Sequence, residues 1–364
     1  MRGIWRGVMC AGVLTAAWLP AAGAAAPHEA AIPLGAVDSA QPAPPPPPRP
    51  APRPEVRVHE RQIRRDAERG WVDSEVIVRP FTGGEGITLD LMNMLGDVVV
   101  VGSKGRDGRL SIVRRVRGHG PDTEELLRTF AIDVSEYANR VAVRTSMPSP
   151  EHPPGRGYRP RVRTDYEIAL PSGTALELKN MQGNVRLTNL GGDVRVEAMA
   201  GDVVGEALSK VRMLRSMSGD VMLSRSVVEG DANLQSVSGN VIASGVKAGS
   251  LTMGTVSGNV QVKSSSSGRA VLRTVSGDIE FASSPRKAGR YELKTHAGDI
   301  FVSTGGGGFE FEATAFKGDV QSDVPTHPGA PGSRQVRGSV GDGSAFFDLT
   351  SFTGDIRVMK KQER

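Results

Sequence analysis

The chain has 364 residues, with 45 glycines, 24 prolines, six histidines, one cysteine, 5% aromatics and a formal net charge of +5. A single cysteine, Cys10, excludes a disulfide framework, a cysteine-based zinc centre and a cysteine nucleophile in the mature chain. So many glycines and prolines beside so few rings exclude a core built on large aromatics and call for many turns.

Arg2 and Arg6 precede an apolar run from Val8 to Leu19, followed by Pro20 and an alanine-rich stretch. Positive, then apolar, then small is the order of a secretory signal. Ala22 and Ala24 give the small-x-small pattern, so residues 1–24 are read as a signal peptide cut after Ala24. The run is too short for a membrane span, and none is expected after cleavage. Cys10 lies inside the run without a cleavage site before it and is not read as a lipidated cysteine. The expected mature protein has no cysteine and depends on non-covalent packing. Residues 25–54 hold eleven prolines, including Pro44 to Pro48, and read as a disordered, polyproline II spacer. Residues 55–75 form a lead-in of mixed charge.

Charge is uneven along the chain. Residues 49–163 carry 21 basic and 16 acidic side chains, whereas residues 164–364 carry 22 of each. The excess gathers in Arg114, Arg115 and Arg117 and in Arg156, Arg159, Arg161 and Arg163. A basic patch of this kind suits an anionic envelope polymer. With an exported destination, nucleic acid is not an expected partner.

From residue 76 to 358 an internal repeat dominates. Its mark is Gly-[Asp/Asn]-[Val/Ile], at Gly96, Gly183, Gly201, Gly219, Gly239, Gly258, Gly277, Gly298, Gly318 and Gly354. From Gly183 to Gly318 the steps are 18 to 21 residues. Two and four residues after the glycine, apolar pairs recur, such as Val221/Leu223, Val260/Val262 and Ile279/Phe281. Seven and five residues before it they recur again, as in Val194/Val196 and Leu251/Met253. A period of two means strands with one buried face. A third apolar row stands two residues before the glycine: Met181, Met199, Met217, Val237, Val256, Val275, Phe316 and Phe352. It is read with the inward columns, and His296, in the same place, as an inward-leaning core histidine. Each unit supplies two short strands, and stacked units place like residues at ~4.8 Å spacing. The expected fold is all-β, a parallel β-solenoid of about ten two-stranded rungs with an aliphatic core. Glycine suits a corner with φ above zero, and its Asp or Asn neighbour suits bonding of the turn backbone. Arg212 breaks the pattern and marks a bulge.

Between Gly96 and Gly183 lies an insertion, residues 102–170. Its alternating segments and a capping box, Asp122 with Glu125, predict a small α+β cap with a helix over 123–129 at the N-terminal end of the stack. At the other end, 324–345 reads as a long Pro/Gly loop before the last unit. The tail 359–364, with Lys360, Lys361 and Arg364, reads as a charged guard against end-to-end strand pairing.

The segment Thr164-Asp-Tyr-Glu-Ile-Ala-Leu-Pro-Ser-Gly173, together with repeated Ser-Gly-Asp-Val and Ser-Gly-Asn-Val units, resembles the bacterial "putative adhesin" β-strand-repeat family, a domain of unknown function. The resemblance covers about residues 76–358. It implies a β-solenoid in exported or envelope proteins and carries over no catalytic residue.

Four candidate chemistries follow from the residues. Stacked carboxylates at Asp202, Asp220, Asp278 and Asp299 suggest a calcium ladder, against which turn capping is the preferred reading. Ser216/Ser218, Ser236/Ser238, Thr255/Ser257 and Thr274/Ser276 form a hydroxyl row, read as bonding along the stack rather than as an ice-binding array. Val204, Met222 and Ile242, three residues after their glycines, should make a small outward apolar patch, a docking site for a partner or for the insertion. Glu310 with Glu312, or Asp319 with Asp323, are the carboxylate pairs a polysaccharide-degrading β-helix would need. No other residue supports them, and no catalytic residue, cofactor or metal is assigned. The chain is read as a non-catalytic exported scaffold in the periplasm or at the cell surface that binds a macromolecule. The alternatives are an envelope-polymer binder using residues 102–163 and a glycan-degrading enzyme.

Overall fold

The computed structural model describes residues 70–117, 124, 127–128, 130–145, 162–328 and 334–360. The expected signal, the proline-rich spacer and residues 55–69 of the lead-in lie outside the described residues, as do Asp122, Thr123 and Glu125 of the expected helix. Glu124, Leu127 and Arg128 of that helix are helical.

Seven strands build the N-terminal end: β1 (Trp71–Thr82), β2 (Thr88–Asn93), β3 (Val98–Ser103), β4 (Asp107–Arg117), β5 (Ile132–Tyr137), β6 (Arg140–Thr145) and β7 (Val162–Pro171). The repeats follow as strand pairs. They are β8 (Ala175–Gln182) with β9 (Val185–Thr188), β10 (Asp193–Ala200) with β11 (Val203–Glu206), and β12 (Lys210–Ser218) with β13 (Val221–Ser224). Next come β14 (Asp231–Ser238) with β15 (Val241–Ser244), β16 (Lys247–Ser257) with β17 (Val260–Lys263), and β18 (Ser266–Ser276) with β19 (Ile279–Ala282). The last are β20 (Arg290–Ala297) with β21 (Ile300–Thr304), β22 (Phe309–Lys317) with β23 (Val320–Ser322), a short β24 (Thr326–Pro328) and β25 (Gln335–Val340), then β26 (Ala345–Thr353) with β27 (Ile356–Lys360).

These strands form two sheets, one of 13 strands and one of 14. Each rung gives its longer strand to the larger sheet and its shorter one to the smaller. Neighbouring rungs pair in parallel, as the repeat predicts. Val203, Val221, Val241, Val260, Ile279 and Ile300 stand one upon another in register and are fully buried. The bulge predicted at Arg212 is present: Val194 pairs with Val211 and Arg195 with Met213, so Arg212 is the extra residue.

The corner explains the glycines. Nine of them, Gly96, the seven from Gly183 to Gly298, and Gly354, have φ between +129° and +155°. A Cβ on any of the seven from Gly183 to Gly298 would lie 2.0–2.2 Å from the carbonyl oxygen of the preceding rung's glycine. Both backbone angle and close approach therefore demand glycine. The opposite corner is less exacting. Asn189, Ala207, Arg225, Gly245 and Ser264 all adopt φ of 46–65° there, and only one is glycine.

Three expectations need correction. First, the row two residues before the glycine faces out: Met199, Val256 and Val275 are about half exposed, and His296 is exposed too. Alternation from the buried positions seven and five before the glycine brings the residue three before it inward, so its apolar successor cannot also be buried. Second, the last unit in sequence is not the last in space. β26 lies between β20 and β22, and β27 between β21 and β23. Ile356 pairs with both Ile300 and Val320, and Phe347 with both Tyr291 and Phe311. The tail's Lys360 therefore belongs to an internal strand and guards no end; residues 361–364 lie outside the described residues. Third, the expected loop 324–345 is partly strand: β25 runs antiparallel to β22, and β24 to β25.

The intercalated rung is marked by rings. Phe347 stacks on Tyr291 at 4.5 Å and meets Phe281 and Phe309 edge-on at 5.4 and 5.5 Å. Such contacts contribute beyond area alone and help define one order of stacking.

The corner yields a prediction. Gly258→Ala should cost about 3 kcal/mol, from a strained φ and the clash with Gly239. Gly245→Ala at the other corner should cost about 1 kcal/mol, because alanine already occupies that conformation at 207. Urea denaturation midpoints measure both, and equal losses would refute this account of the corner.

Candidate functional site

Four lines of side chains run along the stack beside the motif corner, and each has one physical role. The first is the Asp/Asn line. Each side-chain Oδ1 accepts the backbone N–H of the Asp or Asn in the next rung, without a break from Asp165 to Asp319. Asp97 N donates to Asp165 at 2.6 Å, Asn184 N to Asp97 at 2.8 Å and Asp202 N to Asn184 at 3.0 Å. The chain continues through Asp220, Asn240, Asn259, Asp278 and Asp299 at 2.7–2.9 Å. It then passes to Asp355 and only then to Asp319, at 2.8 and 3.0 Å, in the order of the intercalated rung. The side chain thus caps the corner of its neighbour rather than its own turn. Asp202, Asp220, Asp278 and Asp299 all belong to this line. Among the described residues, no group of three His, Cys, Asp or Glu is placed to hold a metal.

The second line is the hydroxyl row. Ser216, Ser236, Thr255 and Thr274 point inward and donate to the carbonyls of Gly201, Gly219, Gly239 and Gly258 at 2.8–3.0 Å. Thr295 and Ser351 continue the row. Bonding along the stack, expected of the whole row, holds for the first hydroxyl of each pair, whereas Ser218, Ser238, Ser257 and Ser276 are exposed. Asn93 and Asn180 take the same task at the N-terminal end, with Asn180 Nδ2 donating to Gly183 O at 2.8 Å.

The third line is the exposed apolar row. It runs through Met181, Met199, Met217, Val237, Val256 and Val275, then His296, Phe352 and Phe316. His296 and Phe352 stack at 4.8 Å with an interplanar angle of 5°, and Phe316 lies 5.7 Å from Phe352. His296 and Phe352 turn their faces to one another, Phe316 is tilted by 36° to Phe352, and Lys317 Nζ lies 5.6 Å over the Phe352 ring, an arrangement that offers little free ring face for stacking on a sugar. Nine rungs at ~4.8 Å make a ridge about 38 Å long.

The fourth line lies on the outer face of the 13-stranded sheet. Val204 pairs with Met222, and Met222 with Ile242, so the predicted apolar patch is contiguous and half-buried. The described strands of the insertion extend the two sheets at one end and do not lie over this face.

The predicted basic patch separates into other roles. Arg114 is buried, pairs with Glu75 at 2.6 Å and donates to the carbonyls of Leu127 and Phe130. Arg115 is buried against Asp165. Arg163 bonds Asp165 at 2.8 Å and Asp97 at 2.7 Å, which ties the first rung to β7. Arg117 lies 4.8 Å over the Trp71 ring. These arginines build the end of the stack, and Arg156, Arg159 and Arg161 lie outside the described residues. Beneath them Tyr166 is fully buried and bonds Thr145 at 2.7 Å; burial pushes its phenol up to about 12.

A shallow depression of about 350 Å³ on the 14-stranded sheet is lined by Asp90, Arg140, Arg144, Glu177, Lys179 and Arg195, among others. Arg144 and Arg140 both bond Asp90, Arg144 at 2.7 Å. The Arg144 hydrogen bond, opposed by burial and seconded by Arg140, holds the Asp90 carboxyl below its ordinary range. Opposite charges alternate across the strands and neutralise one another here. The carboxylate pairs considered for glycan hydrolysis do not line this depression. Glu312 is paired with Arg337 at 3.4 Å, and Asp323 accepts the N–H of Lys360 at 2.9 Å.

The repeat, its corner and its stacking agree with one family model, which matches residues 89–359. The chain belongs to the Toastrack DUF4097 family. Among solved structures, the Toastrack domain is similar to a "putative adhesin" from Bacteroides fragilis. The identity is 14% and the TM-score 0.38, over 79% of this chain and 98% of that one. A "putative adhesin" from Parabacteroides merdae is 11% identical, TM-score 0.37, over 80% and 100%. A "putative cell adhesion protein" from Clostridium sporogenes is 12% identical, TM-score 0.25, over 79% and 99%. Likenesses of this degree carry no argument about activity. No curated protein matches the chain. No helix among the described residues is long and apolar enough to cross a membrane.

The Asp90 cluster gives a pH prediction. A carboxyl whose folded pKa is depressed stabilises the fold above its unfolded value near ~3.9, and the effect fades as pH falls through the folded value. Asp90→Asn should therefore lower stability at pH 7 by on the order of 1 kcal/mol, screened because both arginines are partly exposed. The difference from the parent should shrink below about pH 4. Thermal melts across pH 2.5–7 test this, and a loss that persists at pH 2.5 would contradict it.

Proposed function

We propose that the protein is a non-catalytic exported scaffold, in the periplasm or at the cell surface, that holds a macromolecular partner against the outer face of its 13-stranded sheet. The observation that carries this reading is the register of Val204, Met222 and Ile242, three apolar side chains side by side on an outer strand face. The next residues in the row are Arg186 on one side and Gln261 and Glu280 on the other, so the patch has a polar rim. An apolar centre with a polar rim is the anatomy of a protein-docking surface. Support also comes from the stack itself. Rungs are tied to one another through backbone, carboxylate or carboxamide, and hydroxyl bonds, which suits a rigid platform rather than a closing cleft.

The polymer-binding alternative is less well supported, because Arg114, Arg115 and Arg163 are engaged in ion pairs inside the fold. A glycan-degrading enzyme would need two carboxylates converging across a groove, and one member of each pair considered for that role, Glu312 and Asp323, bonds a neighbour instead.

Binding of the labelled protein to envelope extract, with and without Met222→Lys, tests the proposal. The variant should bind at least tenfold more weakly with an unchanged melting temperature. Undiminished binding by Met222→Lys would defeat the reading. Binding that disappears between low and high salt would favour the anionic-polymer alternative instead.

A further inference from the structure

The exposed ridge on the 14-stranded sheet is a second surface, distinct from the Val204 face. On its inner side, four residues before each glycine, stands a row that includes Lys179, Arg215, Arg273 and Lys294. On its corner side stands the Asp/Asn line. Over five consecutive rungs the two rows match. Arg215 shares a rung with Asp220, Arg273 with Asp278 and Lys294 with Asp299. Where the corner residue is the neutral Asn240 or Asn259, the other row holds the neutral Gln235 or Gly254. Arg215 and Asp220 make no salt bridge among the described residues, while Arg273 and Lys294 share Glu292 on the same sheet. The other four rungs depart from the match: Lys179 shares a rung with the neutral Asn184, Glu197 with Asp202, and the neutral Thr350 and Thr314 with Asp355 and Asp319; Glu197 is paired with Arg195 at 2.6 Å.

A surface with cations on one side of an apolar line and anions on the other is complementary to itself in one orientation. Rotation by 180° about an axis along the ridge places the basic row of one copy over the acidic row of the other, rung against rung. Rotation about an axis across the ridge places cation over cation. We propose that a second copy of this chain packs on the ridge, the two stacks parallel and related by a two-fold axis along it. In that dimer Met181 faces Met181, Val256 faces Val256 and Phe316 faces Phe316, as an isologous interface requires. Arg215 meets the partner's Asp220, and Arg273 and Lys294 meet the partner's Asp278 and Asp299.

The size suffices. A strip about 38 Å long and about 16 Å wide gives on the order of 1,200 Å² over both copies, the lower end of specific interfaces. Its centre is apolar and its rims are charged, as such interfaces require. The face bearing Val204, Met222 and Ile242 belongs to the other sheet and stays open, so the dimer would present two partner-binding faces.

Sedimentation of the full chain at 1–50 µM tests the proposal. A dimer is expected, weakened at least a hundredfold by Val256→Lys at the half-exposed centre of the ridge, with an unchanged melting temperature at concentrations where both proteins are monomeric. Orientation is read by cross-linking on a Cys10→Ser background with a bis-maleimide of about 8 Å span. Met181→Cys alone and Phe316→Cys alone should each give covalent dimers, and Met181→Cys mixed with Phe316→Cys should give no additional hybrid. A monomer at 50 µM overturns the inference, as does a dimer indifferent to Val256→Lys or cross-linking that occurs only in the mixture. The Met222→Lys binding assay is separate, so either proposal can fail while the other stands.

Discussion

Successive rungs of this protein meet at a corner where no Cβ can be accommodated. A methyl group on the motif glycine would stand about 2 Å from the carbonyl oxygen of the glycine below. That approach brings three hydrogen-bond systems into line at once. The glycine carbonyl accepts a hydroxyl from the rung above, as Gly239 does from Thr255. The neighbouring Asp or Asn accepts the next backbone N–H, as Asn240 does from Asn259. The backbone ladder runs between them, with Val241 N donating to Asn259 O. Buried polar groups are tolerated only when paired, and the corners of the repeats pair theirs in this way, whereas Asn93 Oδ1 at the first corner is left without a partner among the described residues. The valine and isoleucine columns then follow, because a fixed corner fixes the register of the strand leaving it.

The same constraint explains why a rung out of sequence order can enter the stack. A rung is recognised by its neighbours through its corner, and the Gly354 corner satisfies Gly298 below and Gly318 above as well as any other. What selects its place is the core. Phe347 lies among Tyr291, Phe281 and Phe309, a part of the interior rich in rings, whereas the middle of the stack is aliphatic among the described residues. The β24–β25 hairpin then pairs along β22, covering the strand edge beyond the intercalated rung. An uncovered edge of that length would invite further pairing.

Much of this was legible in the residues. Period-two alternation on both sides of the glycine identified the buried columns, and the irregular spacing at Arg212 identified the bulge. The row at Met199, Val256 and Val275 was misread because apolar character was taken as inwardness, although the alternation itself pointed outward. The stacking order of Gly354 was not legible, since linear sequence states which rung comes next in the chain and not which lies next in space. The arginines of β4 were read as a surface patch because their neighbours there, Glu75 on β1 and Asp165 on β7, are distant in sequence and become adjacent only when the sheet forms.

In a stack whose corner and columns are dictated by the fold, information about partners can reside only in positions the fold leaves free. Most outward rows behave accordingly and vary among charged, amide and small residues from rung to rung. The row two before the glycine does not. It is apolar on eight of nine rungs, although it contributes nothing to the core and exposes large side chains to water. Scattered surface hydrophobes need no explanation, but a continuous line of them does. Neither strand propensity nor packing asks for Met, Val and Phe in that line, since the outward row two residues away on the same strands holds Lys179, Gln235, Thr350 and Thr314 without harm to the pairing. On the proposed dimer, that demand is met by a second copy of the chain.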